Sequence, residues 1–330
     1  MKFLVTGASG FVGSYFCKRL VEDGHSVVGW VKNRGSYSNL DYYRIKDKID
    51  LVEGDLSDFS CVSFNLSGYE FDMVLHFGAQ AIVKKAQENP FYTLKTNIMS
   101  TTNLLEYVRL CNKDLKCFVQ MSTDKVYGNK AFAVEDSVYE VTDPYSASKI
   151  AAEQVCFTYR DVYHVPLLMI RACNIYGAGD YNKRVIPNTI KSLLETNSAV
   201  LFEGDDKMYR EYIYIEDLYS AMIYLLRNIS HFDSNQTGVF NIAPTERKCI
   251  VSTRDIVQCL CDIHYVQTGC EVSIVKKPGK TFVEIQKQGL VTDKIRELGW
   301  KSQNTLEQGL LLTYKWYKEH QDFFDMVKKR

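Results

Sequence analysis

Lys2-Phe-Leu-Val-Thr6-Gly7-Ala-Ser-Gly10-Phe-Val-Gly13, at the head of a 330-residue chain, decides its fold. Lys2 to Thr6 is a short apolar run that reads as a buried strand, and helical spacing continues from the last glycine through Leu20 and Val21. Strand, glycine turn and helix in that order build a cradle for the pyrophosphate of a dinucleotide. Gly7 permits the tight turn, Gly10 lets a pyrophosphate approach the backbone, and Gly13 lets helix and strand pack closely. Phe11 and Val12 complete the loop. The first helical amides and the positive end of the helix dipole face the phosphates.

Outward from that unit, short apolar runs alternate with longer amphipathic ones, which predicts an α/β fold with helices covering a parallel sheet. Strands are expected over Ser26–Val31, Ile49–Glu53, Asp72–His76, Lys116–Met121 and Leu167–Arg171, and helices over Phe91–Cys111 and Pro144–Val162. Beyond Asn174 the rhythm becomes irregular and rich in tyrosine, then Gly238–Ile242 reads as one more sheet strand. The expected architecture is a Rossmann-type doubly wound parallel sheet with a smaller, discontinuous α/β substrate lobe. The first domain is placed at 1–173, completed by about 236–265, and the lobe at 174–235 and 266–330.

Forty basic and forty acidic residues balance, so no electrostatic case arises for nucleic acid or a membrane surface. No apolar run is long enough to span a bilayer. Ten cysteines lie scattered with no zinc or redox spacing; Cys259 and Cys261 form the one close pair. No metal site is expected. The first strand begins at Lys2, which leaves no room for a targeting segment, so reduced thiols in a cytoplasm are expected.

The chemistry is concentrated in Ser122-Thr-Asp-Lys125 and Tyr145-Ser-Ala-Ser-Lys149. A Tyr and a Lys four residues apart share a helix face, where the ammonium can hold the phenol partly ionised. A phenolate beside a dinucleotide can take a hydroxyl proton while hydride leaves carbon. The charged Asp124-Lys125 pair adds an acid and a base that oxidation alone does not need. His76 ends an apolar strand and reads as a core residue, and Asp55 after Gly54 could simply cap a turn.

In this order the motifs resemble the extended short-chain dehydrogenase/reductase family, and within it the nucleotide-sugar 4,6-dehydratases. The resemblance runs through Thr6–Gly13, Gly54–Leu56, His76–Gln80, Asn89-Pro90, Asn97 and Ser122–Gly128. It continues through Tyr145–Lys149, Arg171–Gly177, Arg210–Tyr214, Lys277–Gly279 and Thr292–Trp300. It implies that Asp55 and Leu56 flank the adenine, and that Phe77, Gly78, Ala79 and Asn97 line the dinucleotide. Thr123, Tyr145 and Lys149 look like the catalytic triad of the fold. Gln80, Asn174, Arg210 and Lys277 resemble contacts to the nucleotide diphosphate sugar, although Lys277 stands where many relatives have Arg. Members are commonly homodimers, with helices such as Phe91–Cys111 and Pro144–Val162 forming the bundle.

The resemblance also implies a reaction: transient oxidation at C4, elimination of water across C5 and C6 with Lys125 as base and Asp124 as acid, then hydride return to C6. Lys125 departs from the commoner Asp-Glu pattern. It is similar to inverting UDP-N-acetylglucosamine 4,6-dehydratases and to CDP-glucose 4,6-dehydratases, which makes UDP-N-acetylglucosamine with 5-epimerisation the first substrate expectation. Val126-Tyr-Gly128 looks instead like the glucose-type enzymes acting on dTDP-, UDP- or CDP-glucose. A UDP-sugar 4-epimerase needs only the C4 oxidation, and a non-catalytic nucleotide-binding scaffold needs no intact triad. The second strand ends Lys32-Asn33-Arg34 with no carboxylate for ribose hydroxyls, so Asn33 and Arg34 point to the 2′-phosphate of NADP, with NAD second.

Overall fold

A computed structural model describes residues 1–33, 38–229, 238–246, 250–279 and 286–328. They resolve into two compact units, the first comprising Met1–Gly128, Asp136–Arg171 and Leu226–Phe240, the second Asn129–Glu135, Ala172–Leu225 and Asn241–Arg330.

The strands are β1 (Lys2–Thr6), β2 (Ser26–Val31), β3 (Asp50–Glu53), β4 (Met73–His76), β5 (Cys117–Thr123) and β6 (Leu167–Ala172). With Val239–Ile242 they form a seven-stranded sheet in the order 239–242, β6, β5, β4, β1, β2, β3. β1 pairs in parallel with both β2 and β4, so the order reverses beside it, and ligands of open α/β sheets bind outside the strand ends at such a switch point. Every residue of β4 and β5 is buried, which explains their continuous apolar runs. β5 continues two residues past its expected end and carries Ser122 and Thr123 on the strand itself.

Local sequence fixes the two long helices. Asn89 caps Pro90–Cys111 by accepting from the Tyr92 amide, with Pro90 in the first turn, where its missing N–H costs nothing. Asp143 and Ser146 form a reciprocal capping box at the head of Pro144–Tyr163, again with proline in the first turn, and left-handed His164 ends the helix. These two helices pack against each other along their length.

In the second unit Met208–Tyr214 is the central strand, paired in parallel with Asn174–Tyr176 and Gln286–Lys287 and antiparallel with Ile250–Ser252. A separate parallel pair joins Ser198–Phe202 to Ser273–Lys277. The compact units divide the chain differently from the sequence boundaries at 172–173 and 226–235, and also at 129–135 and 241–265. Asn241 donates its amide to the Ala133 and Val291 carbonyls, and the helix Thr253–Thr268 packs on Val185–Thr196 and Leu306–Glu319. Those contacts draw both segments into the second unit. No helix among the described residues is long and apolar enough to cross a membrane, and no His, Cys, Asp and Glu cluster among them could hold a metal.

Candidate active site

The glycine turn at the end of β1 leads directly into the helix Phe11–Glu22. Gly7 has φ +67° and its Cα faces the Gly78 amide closely enough that a Cβ would lie 3.0 Å from that nitrogen. At Gly13 a Cβ would run into the Gly7 carbonyl, so the helix seats only because residue 13 lacks one. Gly10 N-caps the helix with no side chain over its free amides. Phe11 is buried, Val12 half-buried, and the Phe16 and Phe77 rings meet at 4.7 Å. This is a cradle open to an anion at a helix N-terminus, and the chain has the residues to hold a dinucleotide there.

The loop after β4 closes the cradle from the other side. Thr6 Oγ1 accepts from the Gly78 amide at 3.0 Å and lies 2.7 Å from His76 Nδ1. Burial, with the nearby Lys149 charge, drives the His76 pKa down to about 3, so His76 is a neutral core group. The Gln80 amide donates to Asn97 Oδ1 at 2.7 Å, and Asn97 Nδ2 reaches the Gln80 carbonyl and Ser148 Oγ at 3.0 and 2.8 Å. Asn97 is thereby built into the walls of the site through three bonds to protein. The Gln80 side chain turns back onto Ile82 and Thr93. Ala79 sits half-buried between them.

Asp55 does cap a turn: its Oδ1 accepts from the Ser57 amide and hydroxyl, and Lys32 stands 3.3 Å from its Oδ2. Burial opposes the carboxylate, but these partners outweigh it and hold the Asp55 pKa below the usual range. Lys32 also donates to the Tyr92 hydroxyl at 3.0 Å, and its partners raise its pKa despite burial. Leu56 is buried beside Gly78. Asn33 is exposed at the end of β2, while Arg34 lies outside the described residues.

The acid and base candidates gather where β5 gives way to a single turn, Asp124–Tyr127. Thr123 caps that turn, accepting from the Lys125 amide and donating to Asp124 Oδ1 at 3.0 Å. Asp124 is buried and Lys125 half-buried. The helix Pro144–Tyr163 packs against both β5 and this turn, bringing Tyr145 and Lys149 to the same region. Lys149 is buried and donates to the Met121 carbonyl at 2.9 Å. Burial lowers its pKa to about 8 against the opposing pull of Glu153. The Tyr145 carbonyl accepts from Ser148, the residue that also meets Asn97. A proton-transferring phenol and a protonatable amine on one helix, with a capped Asp-Lys turn opposite, can perform both carbinol oxidation and elimination.

Below that turn lies a group the sequence reading missed. Glu153, Arg171, Tyr127 and Tyr139 form a buried hydrogen-bonded cluster joined to Ser122. One signal was available: Tyr145, Lys149 and Glu153 recur every four residues along the buried stripe of the helix.

The second unit carries the remaining candidates. Asn174 and Arg210 lie on paired strands, and Asn174 Nδ2 donates to the Glu211 carbonyl. The Arg210 guanidinium is anchored on the Tyr209 carbonyl and on Gln286. Lys277 is exposed at the end of a different strand pair. The structure thus puts Asn174 and Arg210 on neighbouring strands, with Asn174 opposite Tyr212, and leaves Lys277 on a different strand pair.

Several known proteins resemble this chain in sequence or fold. The chain is 29% identical over 336 residues to a trifunctional UDP-glucose 4,6-dehydratase/UDP-4-keto-6-deoxy-D-glucose 3,5-epimerase/UDP-4-keto-L-rhamnose-reductase of Arabidopsis thaliana, covering 98% of this chain and 48% of that protein. It therefore spans about half the length of that relative. The dTDP-glucose 4,6-dehydratase of Streptomyces venezuelae, solved with NAD bound, superposes with TM-score 0.80 at 25% identity over 99% of this chain and 100% of that one. The UDP-glucose 4-epimerase of Thermotoga maritima, solved with UDP-glucose, superposes with TM-score 0.81 at 26% identity over 97% and 100%. The family model for GDP-mannose 4,6 dehydratase matches residues 4–313, from within the first strand into the last long helix. With nearly its whole length matched, the chain belongs to the GDP-mannose 4,6 dehydratase family, among the extended short-chain dehydrogenases/reductases.

Proposed function

We propose that this protein is a nucleotide-sugar 4,6-dehydratase, converting a nucleotide hexose to the 4-keto-6-deoxy sugar with loss of water. The observation that carries the reading is the Asp124-Lys125 pair on the turn capped by Thr123, packed against the helix of Tyr145 and Lys149. Gly7, Gly10 and Gly13 would hold a nicotinamide nucleotide in the cradle, and that group, when bound, would supply a hydride acceptor for C4 and a hydride donor for C6. Tyr145 receives the O4 proton, with the Lys149 ammonium favouring its ionised form and Thr123 orienting the hydroxyl. The C4 ketone acidifies C5, where Lys125 removes the proton, and Asp124 protonates the departing C6 hydroxyl so that it leaves as water. Lys125 then returns its proton to C5 as hydride arrives at C6, and Tyr145 releases the O4 proton to solvent while Asp124 takes one back, which restores every group to its starting state. Asn174, Arg210 and Lys277 are assigned to the nucleotide diphosphate, where a forked guanidinium suits phosphate oxygens.

UDP- or dTDP-glucose is the substrate that the named relatives and the Val126-Tyr127-Gly128 continuation favour. Lys125 in place of Glu favours a second reading, UDP-N-acetylglucosamine with inversion at C5. For the cofactor, the absence of a carboxylate in Lys32-Asn33-Arg34 favours NADP, and the NAD bound by the Streptomyces relative favours NAD. Affinities of cofactor-free protein for the two nucleotides separate them. Two copies are proposed to pair through the helices at 90–111 and 144–163, whose exposed Phe91, Met99, Leu110, Val162 and Tyr163 suit an interface; sedimentation reads this directly.

The deciding experiment is product analysis by mass and NMR from UDP-, dTDP-, CDP- and GDP-hexoses in deuterated water. A 4-keto-6-deoxy product with deuterium at C5 is expected, and its C5 configuration chooses between the two sugar readings. A C4 epimer formed without loss of water would make the protein an epimerase. No turnover of any member of the panel would leave a nucleotide-binding scaffold.

A further inference from the structure

We propose that the buried Glu153–Arg171 ion pair is a positioning device that holds the 122–127 segment at both ends, so that Asp124 and Lys125 keep one geometry for the elimination step. The inference rests on the dehydratase reading above and assigns roles to four residues outside its catalytic set: Glu153, Arg171, Tyr127 and Tyr139.

Glu153 is fully buried, one helical turn beyond Lys149. Its Oε1 accepts from the Ser122 hydroxyl, the residue just before Thr123. Its Oε2 accepts from the Tyr139 hydroxyl and from Arg171 NH2, each at 2.6 Å, and Arg171 Nε bridges both oxygens at 3.1 Å. Arg171 turns its other nitrogen, NH1, to the Tyr127 hydroxyl at 2.7 Å, at the far end of the turn that bears Asp124 and Lys125. The guanidinium carbon also lies 4.9 and 5.1 Å from the ring centres of Tyr127 and Tyr139. One ion pair therefore grips the segment before Thr123 and after Lys125.

The placement argues for more than packing. A buried ion pair recovers its desolvation cost only when hydrogen bonds satisfy it, and apolar residues of similar volume often stabilise a core equally well. This pair is saturated by partners that flank the chemistry. Successive rungs of one helix, Lys149 and Glu153, hold successive residues of β5, Met121 and Ser122. The helix bearing the redox phenol is thereby locked in register with the strand that launches the elimination turn. Oxidation at C4 needs Tyr145, Lys149, the cofactor and Thr123, which the strand itself holds, whereas elimination also needs Asp124 and Lys125 in place on the turn beyond it. A misplacement of an ångström or less can cost about a hundredfold in rate, so slackening the clamp should fall on the second half-reaction.

Glu153→Gln keeps the volume and removes the charge, but it leaves Arg171 uncompensated in the core and risks the fold. The double variant Ser122→Ala/Tyr127→Phe keeps the ion pair and cuts its ties to both ends of the segment, and so decides the matter. Rapid mixing with the preferred nucleotide sugar follows C4 oxidation through absorbance of the reduced nicotinamide and elimination through appearance of the deoxysugar. In the double variant, oxidation and KM should stay within about threefold of the parent while elimination slows at least about tenfold, so reduced cofactor accumulates. Folded Glu153→Gln should show the same split, more deeply. A folded double variant that eliminates at the parental rate, or loses both half-reactions equally, overturns the proposal. Absence of ketosugar from the unaltered protein would count against the dehydratase reading itself.

Discussion

The first unit buries the residues proposed for its chemistry, and the second leaves those proposed for binding half-buried or exposed. Thr123, Asp124, Tyr145 and Lys149 lie within the core of the first unit, each on or beside a strand and helix that pack for structural reasons. Asn174, Arg210 and Lys277 of the second unit sit on short strands, half-buried or exposed. Reacting groups must keep fixed geometry and shifted ionisation, which a core provides. Groups proposed to contact a substrate need only reach a ligand, and a partly exposed strand suffices for that.

The contrast can be broken most sharply at Tyr145. Tyr145→Phe keeps the ring and removes the proton acceptor, so kcat should fall by about 10³-fold or more, with no reduced nicotinamide in a single turnover. If activity survives, the buried stripe is not the redox site. Next in size, Lys125→Met or Asp124→Asn should lower dehydration by about 10²-fold while oxidation at C4 persists, measured as reduced cofactor trapped with the ketosugar. Full turnover in either variant would point to an epimerase. In the second unit, Arg210→Ala should raise KM for the nucleotide sugar about tenfold and change kcat little, which is how loss of a uniform binding contact reads. A large loss of kcat there would erase the distinction between the units.

The smallest effect is one of stability. Lys149 has a pKa of about 8 in the folded protein against an ordinary 10.5, because burial disfavours its charge. Between those values the unfolded chain binds more protons, so this group adds stability as pH rises through the window and penalises the fold below it. Lys149→Met should lack that rise. Parent and variant melting curves should differ by a few degrees at pH 7, in favour of the variant, and converge towards pH 10.5.

How far the chain could be read in advance follows the same division. The opening strand and glycine turn were legible because Gly7 and Gly13 answer local steric demands that leave a fixed spacing. Tyr145 and Lys149 were legible because helical periodicity alone puts them on one face. Glu153 was not, since an acid four residues after a lysine usually marks a solvated pair, and only its tertiary partner Arg171 shows otherwise. The pairing of Lys32 with Asp55 was hidden for a similar reason, its members lying on neighbouring strand ends that topology brings together. The parting of the compact units at Asn241 was not legible either, because Asn241 continues a first-unit strand in sequence while its side chain serves Ala133 and Val291.

Asn97 has a consequence for how the walls of the site stay together. Its one amide joins the backbone at Gln80 to Ser148, and Ser148 in turn holds the carbonyl of Tyr145. Three segments far apart along the chain meet at a single side chain delivered by the helix Pro90–Cys111. Displacing that helix would therefore free the loop after β4 and the start of the Tyr145 helix together. One side chain thus couples the wall of the dinucleotide cradle to the helix that carries the phenol.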